Sequence, residues 1–278
     1  MAVPDLAGFP ALGRTRVMGV VNATPDSFSD SYPTADEAVR HGLALLGAGA
    51  DLLDVGGEST RPGAQRVPED EELQRVLPVV QGLVAAGAVV SVDTMRASVA
   101  RASVQAGAVL VNDVSGGLAD PEMLGVVAGL DVAYIAMHWR GHSVDMQQRA
   151  DYTDVVAEVT AELAVRRDAA LAAGIGADRL LLDPGLGFAK QGPHSWSLLH
   201  GLPRLASLGH PLLVGASRKA FLGDLLADDS GERRPALERD AATAALTVVI
   251  AQAGAWAVRV HDVGPSADAV RVVAAVQP

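Results

Sequence analysis

From Arg16 onward, short apolar runs alternate with longer stretches in which apolar residues recur every three or four positions. The short runs, at 17–21, 51–55, 89–92, 109–111, 132–137, 180–182, 211–214 and 256–260, are apolar enough for strands buried on both faces. The longer stretches, near 34–48, 69–86, 95–106, 120–129, 151–174, 194–208, 236–253 and 266–276, predict helices. Asp120-Pro121 and Pro265-Ser266 punctuate helix starts, while Gly49, Gly107 and Gly174 fall where helices should end. Strands that alternate with helices call for a parallel sheet, and eight such units close a (β/α)8 TIM barrel. The other architecture to weigh is an open doubly wound sheet, but no Gly-x-Gly-x-x-Gly turn follows the first strand. The expected organisation is a loose lead-in over residues 1–15 and a single α/β barrel domain over 16–278.

Composition narrows the chemistry. Among 278 residues, 49% are hydrophobic and only 4% aromatic, so the core must be built mainly of Ala, Val and Leu. With no cysteine, disulfides and thiolate chemistry are excluded, and the cytoplasm is the expected compartment. A net charge of −11 argues against nucleic acid or an acidic membrane surface as partner. Residues 1–14 lack the basic start and apolar stretch of a signal peptide, and no apolar run is long enough to span a bilayer.

In a barrel the C-terminal strand ends share one mouth, so residues far apart in sequence can converge there. Every strand candidate here ends in polar side chains. They run Asn22 to Phe28, Asp54 to Gly63, Asp93-Thr94, Asn112-Asp113, Met137-His138, Asp183 to Phe188, Ser217-Arg218-Lys219 and Arg259-Val260-His261. Asp93, Asn112 and Asp183 form an acceptor-rich group suited to a flat heterocycle with ring N–H and amino donors. Arg218, Lys219, Arg259 and His261 form a donor group from strands seven and eight, where such barrels often hold phosphate. Asp113 should point to the opposite side of its strand from Asn112 and bind local backbone.

The seventh strand end carries the sharpest signal. Its apolar run stops at Gly215, and Ser217, Arg218 and Lys219 precede a helix start, a combination suited to an anion. Arginine outnumbers lysine by 20 to 2, so Lys219 is a marked choice; a compact ammonium suits a point contact to a substrate oxygen. The other lysine, Lys190, reads as a mobile surface charge, and His138 with His142 makes a poor zinc pair without a nearby second carboxylate.

Read together, Asn22-Ala-Thr-Pro-Asp-Ser-Phe28, Gly56-Gly-Glu-Ser-Thr-Arg-Pro-Gly63, Asp183-Pro-Gly-Leu-Gly-Phe188, Ser217-Arg-Lys219 and Arg259-Val-His261 resemble the dihydropteroate synthase family, the sulfonamide targets of folate biosynthesis. The Met137-His-Trp139 version is similar to actinobacterial members. The resemblance implies a cytoplasmic, homodimeric, magnesium-dependent transferase. Its reaction joins 4-aminobenzoate to (7,8-dihydropterin-6-yl)methyl diphosphate. It implies that Asp93, Asn112, Asp183 and Lys219 hold the pterin, with Met137 also in contact, and that Arg259, Val260 and His261 hold the diphosphate. Asn22 would take Mg²⁺; Thr60, Arg61, Pro62, Ser217, Phe28 and Phe188 would form the aminobenzoate pocket. Asp93, Asp183, Lys219, Arg61 and Asp30 would carry catalysis, with the loops after strands one and two closing over the site.

One stretch departs from the family pattern. Ser31-Tyr32-Pro33 follows Asp30 where glycines are usual, and Pro33 restricts the chain where that loop should bend. Two other readings follow: a pterin-dependent methyltransferase, which has little use for the doubled anion site, and a diverged pterin-binding paralogue without synthase activity, against which Ser59 to Gly63 is complete.

Overall fold

The computed structural model describes residues 3–24, 32, 34–61 and 63–277. Among the described residues there are eight strands: β1 (Arg16–Asn22), β2 (Leu52–Gly56), β3 (Val90–Asp93), β4 (Leu110–Asp113), β5 (Ala133–Met137), β6 (Leu180–Asp183), β7 (Leu213–Val214) and β8 (Ala257–Val260). All ladders are parallel, in the order β6-β5-β4-β3-β2-β1-β8-β7. A parallel bridge from Leu182 to Leu212, with Leu182 N–H donating to Pro211 C=O at 3.0 Å, joins the two ends and closes the expected barrel.

The helices are α1 (Ala35–Gly47), α2 (Glu69–Ala85), α3 (Ala97–Gln105), α4 (Met123–Leu130), α5 (Val155–Ala172), α6 (Gly192–His200), α7 (Leu202–Ala206), α8 (Ala220–Leu225), α9 (Asp240–Gln252) and α10 (Val263–Val276). Thr34 starts α1 with a full capping box to Glu37, and Asp154 caps α5 through Ala157 N–H. The stretch predicted as one helix over 194–208 is two: α6 ends at Gly201, and Pro203 sits in the first turn of α7. Proline lacks the N–H that would continue α6 and fits the start of a new helix.

Strand alternation sorts the side chains into two layers. Val17, Val21, Leu53, Val55, Val90, Val92, Val111, Tyr134, Leu180, Leu182, Val214, Val258 and Val260 face outward and pack under the helices. Met18, Leu52, Leu110, Ala133, Ile135, Leu181, Leu213 and Ala257 face inward and fill the lower barrel. The next inward positions along the same strands are Asp54, Asp93, Asn112, Met137, Asp183 and Arg259. Two residues further along β2, β6 and β8 the filling thus turns from apolar to charged, and along β4 to the Asn112 amide, while β5 keeps an apolar side chain in Met137.

The lead-in is not loose. Leu6 is 3% exposed and joins the lower interior cluster, Ala7 N–H donates to Asp178 C=O, and Phe9 meets Trp256 edge to face at 5.2 Å. The segment closes the barrel floor, because Trp256 and Met18 would otherwise leave apolar surface open at that end.

Candidate active site

The upper interior layer is an ion-pair cluster. Arg259 Nε lies 2.6 Å from Asp54 Oδ2, and its Nη2 lies 2.9 Å from Asp93 Oδ2. Asn112 Nδ2 donates to the same Asp54 oxygen at 2.9 Å. Asp183 Oδ1 accepts from Gly185 N–H at 2.7 Å. The groups drawn from opposite ends of the sequence therefore share one pole of the barrel, as the strand-end pattern required. Above them opens a cavity of 1040 Å³, lined among others by Asn22, Thr60, Arg61, Met137, Phe188, Ser217, Lys219 and His261.

Burial sets the protonation of these groups. It raises the carboxyl of Asp93, against the opposing pull of Arg259 and with the help of Asp54, and it raises Asp183 against the pull of Lys219. It lowers the Lys219 ammonium to about 8, with Asp183 resisting and Arg259 adding to the fall. His261 drops to about 3 by burial and by the cations Arg259, Arg218, Arg61 and Lys219 around it, so its ring is neutral at pH 7. Arg259 goes up: burial works against its charge, and Asp54 and Asp93 outweigh that.

The loop after β6 is pinned on several sides. Gly185 sits at φ +64°, where an added Cβ would lie 2.7 Å from His138 C=O, so only glycine fits. Gln147 Nε2 donates to Gly187 C=O, Tyr152 O–H to Ala189 C=O, and Lys219 Nζ to Leu186 C=O. These bonds hold the Phe188 ring beneath the Lys219 ammonium, 4.9 Å from ring centre to nitrogen.

Several expectations change. Lys190 is 3% exposed rather than a surface charge: its Nζ contacts His138 Nδ1 at 2.8 Å and Phe188 C=O at 2.9 Å, while His138 Nε2 meets Glu162 at 2.9 Å. Val260 faces the helices in the outer core, so only its backbone could meet a ligand. Arg218 lines the cavity as well, with its guanidinium held by Asp240 through two bonds of 2.7 Å. The following helix, α8, has six residues. Ser217 Oγ accepts from His261 N–H at 3.2 Å and lies 3.0 Å from its Nδ1. Asp113 behaves as expected, binding Ser115 and Gly117 N–H and the Tyr134 hydroxyl on the outer side.

Phe28, Asp30 and Pro62 lie outside the described residues. Thr60 and Arg61, half-buried at the cavity edge, follow a root fixed by Glu58, which pairs with Arg96 at 2.9 Å and Arg66 at 3.1 Å. One group went unassigned in the sequence: Asp54, which its inward alternation with Leu52 made legible.

With this geometry in view, comparison places the chain. The Pterin binding enzyme family matches residues 18–261. A dihydropteroate synthase of Mycobacterium leprae is 53% identical over 95% of this chain and 94% of its own length. That of Escherichia coli K12 is 42% identical over 95% and 92%. Among solved structures, a Xanthomonas albilineans dihydropteroate synthase with 4-aminobenzoic acid superposes with a TM-score of 0.87 at 49% identity, covering 95% of this chain and 93% of the other. One from Yersinia pestis with a sulfonamide drug complex gives 0.91 at 40% identity, covering 99% and 98%. The barrel with its acidic and basic upper layer thus defines a pterin binding enzyme. Within that class, the chain belongs to the dihydropteroate synthase family.

Proposed function

We propose that the upper barrel layer performs the family reaction, joining 4-aminobenzoate to (7,8-dihydropterin-6-yl)methyl diphosphate and releasing diphosphate. The observation that carries this reading is the meeting of Asp93, Asn112 and Asp183 with Arg259 and Lys219 under one opening. Asp93, Asn112 and Asp183 accept from the pterin ring, and Arg259 and Lys219 face the charge of the departing diphosphate. The carbon–oxygen bond from the methylene to the diphosphate breaks, and the electron pair leaves with the diphosphate. The amine nitrogen of aminobenzoate then bonds to the methylene carbon and loses a proton. Fixed charges stabilise the developing anion without reorganising, the usual largest contribution to catalysis. Arg61 and Thr60 at the rim, with Phe188 and Ser217, are proposed to hold the aminobenzoate.

Magnesium prefers one or two protein oxygens plus substrate phosphates and water, and Asn22 at the cavity edge is the residue that would hold it. When bound, the ion would neutralise charge on the leaving diphosphate.

Incubation with the pterin diphosphate, aminobenzoate and Mg²⁺ is expected to yield 7,8-dihydropteroate; its absence, with both substrates bound, would sink the reading. The chain is further proposed to act in the cytoplasm as a homodimer. No described helix is long and apolar enough to cross a membrane. Supporting the dimer, Val249 on α9 and Val272 and Val276 on the adjoining α10 are exposed. Light scattering should give twice the chain mass of 28.5 kDa, and a monomer at micromolar concentration contradicts it.

A further inference from the structure

Asp54 is fully buried at the centre of β2 and has no assigned part in the reaction, yet one of its oxygens serves two others that do. Its Oδ2 accepts from Asn112 Nδ2 at 2.9 Å and from Arg259 Nε at 2.6 Å. An ionised carboxylate can only accept, so the Asn112 amide must present its NH₂ to Asp54 and turn its carbonyl oxygen the other way. A guanidinium fixed at Nε likewise has its terminal nitrogens set, and Nη2 reaches Asp93 on the cavity side.

We propose that Asp54 is the positioning residue of this site: one buried charge holds the Asn112 amide with its acceptor toward the ring and the Arg259 fork with its donors toward the diphosphate. This rests on the function proposed above and adds the device that sets the polarity of both halves. Without Asp54 the Asn112 amide could flip, offering a donor to a ring edge that is itself made of donors.

The test uses 6-hydroxymethylpterin and inorganic pyrophosphate as separate probes, with calorimetry on the full chain. Asp54→Leu keeps the number and branching of side-chain heavy atoms and removes the acceptor. It is expected to weaken pterin binding by about 10–100-fold, the worth of one to two oriented hydrogen bonds, and to weaken pyrophosphate binding as well. Asn112→Ala should cost a similar factor in the native protein but less than about twofold in the Asp54→Leu background, since the two act as one unit. Losses that simply multiply would overturn the proposal, because a purely structural Asp54 lowers stability without coupling to Asn112. If the native protein binds no pterin, the functional reading fails instead. Should Asp54→Leu not fold, NMR of the native Asn112 side-chain amide decides. A coupling across the hydrogen bond from the Asn112 side-chain ¹⁵N to the Asp54 carboxyl ¹³C should persist when the pterin is added, and its loss rules the orientation out.

Discussion

Lys219→Ala is expected to lower kcat by on the order of 10²–10³, the cost of removing one preorganised electrostatic donor. Lys219 is the N-cap residue of α8 and its ammonium reaches the Leu186 carbonyl, where only Asp183 among its neighbours favours its charge against burial and Arg259. No second ammonium can replace it, because Lys190 is committed to His138 and Phe188. Steady-state turnover with both substrates saturating checks this, and a variant within fivefold of the native kcat removes Lys219 from the mechanism. A pH profile adds a second reading. The free enzyme needs this lysine charged, and burial lowers it to about 8, so kcat/KM should fall as pH rises through about 8. In Lys219→Arg that alkaline limb should vanish, since a guanidinium stays charged. For stability the sign is opposite. The unfolded chain holds this proton up to the ordinary lysine value, so the folding penalty is full below about 8 and is relieved as pH rises toward 10.5.

The barrel was legible because its strands are buried on both faces. Runs such as Leu180-Leu-Leu182 carry that signature without needing to know their neighbours. The polar layer was legible for the same reason: alternation from Leu110 to Asn112 or from Leu181 to Asp183 places both residues on one side. What stayed hidden depends on partners remote in sequence. Lys190 looks like any solvated cation until His138, 52 residues earlier, is brought beside it. The partner of Arg218 is equally remote, since Asp240 folds back against it from 22 residues later. Val260 was carried into the site by the motif around it, whereas strand alternation alone turns it outward between Arg259 and His261. The lead-in misled because Leu6 and Phe9 have no apolar period of their own; the barrel floor supplies the surface they cover.

Arg259→Met is expected to destabilise the protein by about 3–5 kcal/mol, the cost of leaving buried charge unpaired. The guanidinium lies between Asp54, wholly buried, and Asp93, 8% exposed, and methionine fills a similar volume without a cation. In a chain of this length that corresponds to a fall in Tm of roughly 6–10 °C. The loss must depend on pH. The Asp93 carboxyl is already raised by burial and by Asp54, and Arg259 is the main group opposing the rise. A carboxyl raised in the folded state stabilises fully below its ordinary value and loses that contribution as pH rises through the folded value. Removing Arg259 raises it further, so the deficit against the native protein should be level from pH 5 to 7 and grow as pH rises from 7 through about 8 toward 9.5. Tm measured for both proteins across that range decides between this and a simple packing defect, whose deficit would be the same at every pH. A pH-independent deficit would mean that Asp93 and Asp54 find other partners once the arginine is gone, and the charge coupling between the ring-facing and diphosphate-facing halves of the site would then be absent.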